Sequence, residues 1–263
     1  MISAVPESWD IRIERAARLA TQDEAARPLL LFYRQLLGVQ RDCSNRLKRC
    51  EHLSGSLERD LGVVRGCVPP ILGAIAAIGP APLAEEARQM LVRGESAIDA
   101  MLLQSWRLPV DGQFFPKAVL QPYAQWLAES SIRPVDRGLP QADNACPFCG
   151  GVPQLSILHA TAAGDGGGRQ LLCATCFTRW PFRRVLCAKC GEEDEHQLGY
   201  FHSPAFDHLR VDACDTCRHY LKTVDLTRLG VAVPVVDEIA GAPLDVWARE
   251  RGYEKIELNL VGL

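Results

Sequence analysis

Apolar and polar residues alternate along the first half of the chain with the spacing of amphipathic helices. In LLLFYRQLLGVQRDCSNRLKRC (29–50), one helical face collects the apolar positions Leu29, Tyr33, Leu36, Leu37, Cys43, Leu47 and Cys50. Pro28 suits the first turn of this helix. APLAEEARQMLVRGESAIDAMLLQSW and PKAVLQPYAQWLAES show similar spacing, with Pro122 near a boundary or a kink. The pattern predicts an all-α helical domain over residues 1–138.

The pattern changes after residue 131. SIRPVDRGLPQADNA (131–145) is rich in turn-forming residues and lacks apolar periodicity, which predicts a linker. LSILHATAAGDGGGRQLL then indicates two strands around a Gly-rich tip, and QLGYFHSPAFDHLRVDA two strands around a Ser-Pro tip. Near the end, DEIAGAPLDVWARERGY predicts helical turns and IELNLVGL a short extended end. The chain is therefore expected to be of the α+β class, with a C-terminal helical tail over 225–263.

Four CxxC pairs lie within the strand region and form a tandem repeat. The first gap, Cys149 to Cys173, holds 23 residues (173 − 149 − 1), and the gap from Cys190 to Cys214 also holds 23. Adding 41 to each cysteine of the first half gives a cysteine of the second. The repeat predicts two groups of four, whose members are Cys146, Cys149, Cys173 and Cys176, and Cys187, Cys190, Cys214 and Cys217.

Each repeat unit, CxxC-x23-CxxC, is slightly longer than a common zinc pattern. The units predict two ribbon modules, over 139–182 and 183–224, with Gly150 and Gly191 at turns that often need a positive φ. Four thiolates favour tetrahedral Zn²⁺ or iron, so two tetrathiolate metal ions are expected. Structural zinc ribbons and rubredoxin-like iron used in electron transfer or redox sensing both stay open. A thioredoxin-like redox role is least favoured, because no βαβ pattern surrounds any pair.

Charge argues against nucleic acid as a partner. The formal net charge is −3, and two Zn²⁺ tetrathiolates would make it −7 (−3 − 2 − 2), whereas two Fe³⁺ sites would make it −5 (−3 − 1 − 1). One stretch, 169–190, is basic and lacks acidic residues, through Arg169, Arg179, Arg183, Arg184 and Lys189. Whether this stretch offsets the thiolate charge or binds an acidic partner stays open.

Other features favour a cytoplasmic protein without an active site. The first residues show no targeting segment, and the apolar run at 71–79 is too short to cross a bilayer, so no membrane insertion is expected. The lone cysteines Cys43, Cys50 and Cys67 are expected to be structural, with Cys43 and Cys50 buried. His196 suggests a solvated loop, and His219 lies close to the last CxxC pair. No catalytic constellation or organic-cofactor motif is evident.

The cysteine region resembles a known family. CPFCGG, LLCATCFTRWPFRRVLCAKCGE, RVDACDTCRHYLKTVDL and the ending LDVWARERGYEKIELNLVGL are similar to the formate dehydrogenase accessory protein FdhE family. The resemblance covers residues 146–263. It implies a cytoplasmic maturation factor, not an enzyme, that is needed for respiratory formate dehydrogenase and contacts its catalytic subunit.

The resemblance also bears on the metal and on the rival interpretations. It implies rubredoxin-like sites that can hold iron, and only the eight paired cysteines carry over as functional positions. A homodimer stays open. The alternatives are a zinc-ribbon nucleic-acid-binding protein, suggested by the basic stretch, and a free-standing rubredoxin-like electron carrier.

Overall fold

The computed structural model describes residues 7–50, 52–107, 113–138, 143–160 and 167–263. Part of the predicted linker (139–142) and most of the Gly-rich tip (161–166) lie outside this set. The described helices are α1 (Trp9–Gln22), α2 (Arg27–Lys48), α3 (Leu57–Val64), α4 (Val68–Ile78), α5 (Ala81–Leu91), α6 (Glu95–Arg107), α7 (Phe114–Glu129), α8 (Pro234–Ala240) and α9 (Ala242–Glu250).

Six of the described strands lie between α7 and α8 in the chain, and the seventh follows α9. They are β1 (Pro153–His159), β2 (Gly168–Cys173), β3 (Arg179–Pro181), β4 (Leu198–His202), β5 (Leu209–Cys214), β6 (His219–Asp225) and β7 (Glu254–Lys255). The α+β class predicted from the sequence is confirmed, with a helical region followed by a sheet-rich part.

The helical region packs around α2 and α7. The side-chain oxygen of Ser8 accepts from the Ile11 amide and caps the start of α1. Pro28 lies in the first turn of α2, where its missing N–H costs no hydrogen bond. Pro122 lies inside α7, which continues to Glu129. The predicted boundary there is therefore not a helix end.

One helical stretch, Leu57–Ile78, is long and apolar enough to cross a membrane by length and composition alone. It joins α3, a short 3-10 turn and α4 into 22 residues, and so extends well beyond the apolar run at 71–79. Within this protein, Leu57, Val64, Ile71 and Ile75 are buried in the core of the helical region.

The two cysteine modules share one sheet. Its strand order is β3-β2-β1-β6-β5-β4, and β7 pairs with the first two residues of β6. Neighbouring strands run antiparallel within each module, but β1 of the first and β6 of the second are parallel, with Leu155 opposite Lys222. The division of this part into separate domains at 182 and 224 stays a prediction.

Buried ion pairs hold the last helices against β6. Lys222 pairs with Asp245 on α9 and also donates to the Glu238 carbonyl, while Lys255 pairs with the Glu238 carboxylate. All four side chains are fully buried. Burial, and then the charge of Lys255, lower the pKa of Lys222 to about 8. Lys222 can be buried in β6 because every charge in this network has a partner of opposite sign.

The end of the chain turns instead of extending as predicted. After the two-residue strand β7, the side-chain oxygen of Asn259 accepts from the amides of Val261 and Leu263, both at 3.1 Å. The carbonyl of Leu263 in turn accepts from Lys255 at 2.7 Å. These local hydrogen bonds close the last five residues against the buried network.

Candidate metal centre

The eight paired cysteines form the two groups that the 41-residue repeat predicts. Within each group, all sulfur atoms lie within 4.8 Å of one another. The first site contains Cys146, Cys149, Cys173 and Cys176, and the second contains Cys187, Cys190, Cys214 and Cys217. These are two tetracysteine sites that could bind metal ions.

The sulfur separations fit a tetrahedral ion. A Zn–S bond of about 2.3 Å puts the sulfurs of a regular tetrahedron about 3.8 Å apart. The first site has Sγ–Sγ distances of 3.6 Å (Cys146–Cys176) and 3.5 Å (Cys149–Cys173). The second has 3.7 Å (Cys187–Cys217) and 3.8 Å (Cys190–Cys214). An all-sulfur donor set of this size suits Zn²⁺ or iron.

All four CxxC turns share one backbone geometry. The residue after each second cysteine has a φ between 58° and 78°, and its amide donates to the carbonyl of the first cysteine. Two of the four are glycines, as predicted, and two carry side chains at this less favourable φ. The donor and acceptor pairs are Gly150 and Cys146 (2.8 Å), Phe177 and Cys173 (3.2 Å), Gly191 and Cys187 (3.1 Å), and Arg218 and Cys214 (2.9 Å).

Without a cation the first site opposes a full set of thiolates. Burial raises the pKa of Cys176, and hydrogen bonding with Cys149 raises that of Cys146. Burial also works against ionising Cys173, but hydrogen bonds from the neighbouring cysteines lower its pKa well below the usual value. Of these three cysteines, Cys173 is therefore the most readily ionised, and a bound cation would favour the thiolate form of the others.

The two sites differ in burial. The four cysteines of the first site are at most 3% exposed. In the second site Cys190 is exposed and Cys217 is half-buried. A local cause lies after the second cysteine, where the first site has Gly151 and the second has Glu192 at the shifted position. A Cβ on Gly151 would lie 3.0 Å from the sulfur of Cys173, so glycine lets the chain pass close to the sulfurs without a crowded contact.

The first site is also tied to the helical region. Its cysteines belong to the same apolar cluster as the helical core. Gln121 of α7 donates to the Ala174 carbonyl, inside the Cys173–Cys176 turn, at 3.0 Å. The ring of Phe177 lies 5.4 Å from the guanidinium of Arg12 on α1. These contacts could not be predicted from the sequence pattern, because they join residues more than 50 positions apart.

The second site is surrounded by polar contacts near the surface. The Nδ1 of His219 lies 2.7 Å from the Cys217 carbonyl, and the His219 backbone amide donates to the Cys217 sulfur. Glu192 accepts from the Thr216 hydroxyl at 2.7 Å, across the two turns of the site. His196 is exposed, as expected of a solvated loop. Polar side chains therefore frame the exposed part of this site, whereas Cys187 and Cys214 are buried.

The basic stretch is not a continuous cationic surface. Arg169 is buried, pairs with Asp212 and donates to three main-chain carbonyls of the segment that joins the two modules. Arg179 pairs with Glu7, and Arg183 pairs with Glu193. Most of this positive charge therefore serves contacts within the chain.

The lone cysteines lie outside both sites. Cys43 and Cys67 are buried in the helical core, as predicted for Cys43. Cys50 is half-buried, less than predicted, and its sulfur lies 3.7 Å from the Arg46 carbonyl near the end of α2.

The fold and the two sites define a class of protein with a helical region joined to a pair of tetracysteine modules. Family models match the modules: "FdhE, central domain" over residues 145–184 and "FdhE, C-terminal domain" over 185–261. The crystal structure of the FdhE protein from Pseudomonas aeruginosa has a TM-score of 0.71 to this chain at 22% identity. That match covers 99% of this chain and 98% of the other, and so shows a shared fold.

Curated relatives named "Protein FdhE homolog" agree. The Aquifex aeolicus relative is 35% identical over 150 residues, which are 57% of this chain and 52% of the relative. A Haemophilus influenzae relative is 28% identical over 168 residues, 63% of this chain and 54% of the relative. The matches thus span about half the length of these relatives. The matches to the FdhE central and C-terminal domain models agree with the sequence resemblance over residues 145–261.

Proposed function

We propose that this protein is a cytoplasmic accessory factor needed for the activity of a respiratory formate dehydrogenase, and that it acts by binding the catalytic subunit rather than by catalysis. The observation that carries the proposal is the pair of tetracysteine sites inside the two segments that FdhE domain models match. A rigid, metal-clamped module suits a docking role, because little ordering entropy is lost on binding.

The eight cysteines are proposed to hold two metal ions, iron or zinc. Each bound ion would offset part of the charge of its four thiolates and fix two of the turns, and iron would add one-electron redox chemistry. The chain's own residues supply the rest: the four turn residues with positive φ orient the sulfurs, and Gly151 lets the chain pass close to the first site.

The test combines a gene deletion with variants of the second site. Deletion is expected to abolish respiratory formate oxidation while the enzyme's polypeptide stays present. Reintroducing the gene with Cys187→Ser and Cys190→Ser should fail to restore activity and should reduce co-purification with the catalytic subunit. Cys50→Ser is the matched control, since this half-buried thiol lies outside both sites, and it should rescue fully. Full formate oxidation in the deletion strain would overturn the proposal.

A free-standing electron carrier is the second candidate, and the exposure of Cys190 is the observation that favours it. Such a carrier would show reversible visible bands and a measurable reduction potential as an isolated protein. Formate oxidation would then depend on the redox activity of the metal, and a redox-inert zinc form of the protein would fail to rescue the deletion strain.

A further inference from the structure

A cavity of about 280 Å³ lies between the helical region and the turned end of the chain. Its wall is mostly apolar and includes Leu29, Phe32, Leu83, Phe114, Leu120 and Leu260. Thr175, inside the Cys173–Cys176 turn of the first site, also lines it. A mostly apolar, concave space of this size with a few polar groups is the usual form of a binding pocket.

Two residues lining this cavity carry buried polar atoms without partners. The Nδ2 donor of Asn259 makes no hydrogen bond, although the residue is only 3% exposed and its Oδ1 accepts two amides. The Oε1 acceptor of Gln113 is also buried and unpartnered. Leaving such groups without a partner destabilises the free protein, so a ligand that satisfied them would gain that free energy on binding.

A peptide main chain offers the complementary groups, a carbonyl acceptor and an N–H donor. A ligand carbonyl would accept from Asn259, and a ligand N–H would donate to Gln113. Peptide ligands combine such main-chain hydrogen bonds with apolar side chains that fill a pocket. The apolar wall provides for the side chain, and the two amides provide for the main chain.

The charges on the wall favour a flanking acidic residue. Arg137 lines the cavity, and its guanidinium lies 4.6 Å from the ring of Trp106. It takes part in none of the ion pairs found in the described residues. Lys117, the other lining cation, is already held by Glu257 and by the Leu258 carbonyl. Arg137 is therefore the cation that remains to attract a carboxylate.

We propose that this cavity binds an extended segment of a partner protein, with an apolar side chain inserted and an acidic residue beside Arg137. In the proposed function that partner is the catalytic subunit, and to that extent the inference rests on it. The first cysteine site shapes the pocket, because its turn supplies Thr175 and is held to α7 by Gln121. Binding at the cavity is thereby linked to the integrity of that site.

The direct test uses fluorescein-labelled octapeptides Gly-Ser-Glu-X-X-Glu-Ser-Gly, with X drawn from Leu, Ile, Val and Phe, and full-length protein. Saturable binding is expected, and replacing both X positions by Ser should remove it. Gln113→Met should weaken binding by about tenfold and raise the thermal midpoint of the unliganded protein, because an unpartnered buried oxygen is lost. A purely structural glutamine would lower that midpoint instead. Gln104→Met, an exposed glutamine on α6, is the matched control and should change neither.

A second variant removes the other polar group. Asn259→Asp keeps the oxygen that accepts from Val261 and Leu263 but removes the donor, so it should also weaken peptide binding by about tenfold. Equal affinity of wild type, Gln113→Met and Asn259→Asp would overturn the proposal, as would the absence of saturable binding. Dissociation of a dimer by these variants would also overturn it, since a second copy would then be the occupant.

Co-purification separates the cavity from the proposed function. If the peptides bind as expected but the wild-type protein captures no formate dehydrogenase subunit, the accessory role fails and the peptide site stands. If the subunit is captured equally by wild type and by both variants, and the peptides do not bind, the cavity proposal fails alone.

Discussion

The two cysteine sites have the same ligands, the same spacing and the same turn geometry, yet they differ in how far they are buried. The first is closed within the apolar core shared with the helices, and the second exposes Cys190 among polar side chains. A repeat in sequence thus specifies the coordination shell, while the surroundings decide how each site behaves. We expect the first site to hold the molecule together and the second to exchange with its environment.

The largest expected effect comes from removing one site at a time. Structural zinc contributes roughly 10–16 kcal/mol in small zinc modules, comparable to the whole stability of a domain, about 5–15 kcal/mol. Cys146→Ser with Cys149→Ser should therefore disrupt the sheet and the adjoining helical core. Cys187→Ser with Cys190→Ser should loosen only the second module. Hydrogen exchange read by mass spectrometry checks this, and equal protection of α7 in both variants would contradict the comparison.

A smaller effect tests why the first site is closed. Gly151→Ala places a Cβ 3.0 Å from the sulfur of Cys173 and 3.3 Å from that of Cys149. Overpacking of this kind costs about 1–3 kcal/mol, to be measured as a lower free energy of unfolding in denaturant. Glu192→Ala at the equivalent position of the second site is the control, and its effect should be much smaller. Comparable losses for both would show that closure does not depend on this glycine.

The smallest effect concerns accessibility. In protein loaded with zinc, a colorimetric chelator should remove the ion of the second site about tenfold faster than the ion of the first. The chelator reaches the second site with less local unfolding of the protein. Cys190 should be the first of the eight to react with iodoacetamide as the ion of the second site leaves. Release of both ions at one rate would mean that burial of the first site has no kinetic consequence.

The helical region and the grouping of the cysteines could be predicted from the sequence. The pairing of the two modules and their difference in burial could not, for physical reasons. Equal gaps between the CxxC pairs predicted how the cysteines group, because local spacing determines which turns face each other. The parallel pairing of Leu155 with Lys222 could not be predicted, since it depends on packing across modules. The difference in burial between the two sites corresponds to one sequence difference, CGG after the first CxxC pair and CGE after the third. Its meaning is evident only once the distance from Gly151 to the cysteine sulfurs is known.

The parallel pairing of β1 with β6 sets the order in which the chain can assemble. Leu155 pairs with Lys222, which lies 67 positions later in the chain (222 − 155). Contacts between residues so far apart in sequence form slowly. On the ribosome, β1 can pair with β2 at once, but its other edge stays open until β6 has been synthesised. An open edge invites pairing with other chains. Early closure of the first site, whose cysteines all precede residue 177, would anchor this half-finished sheet while the second module is still being made.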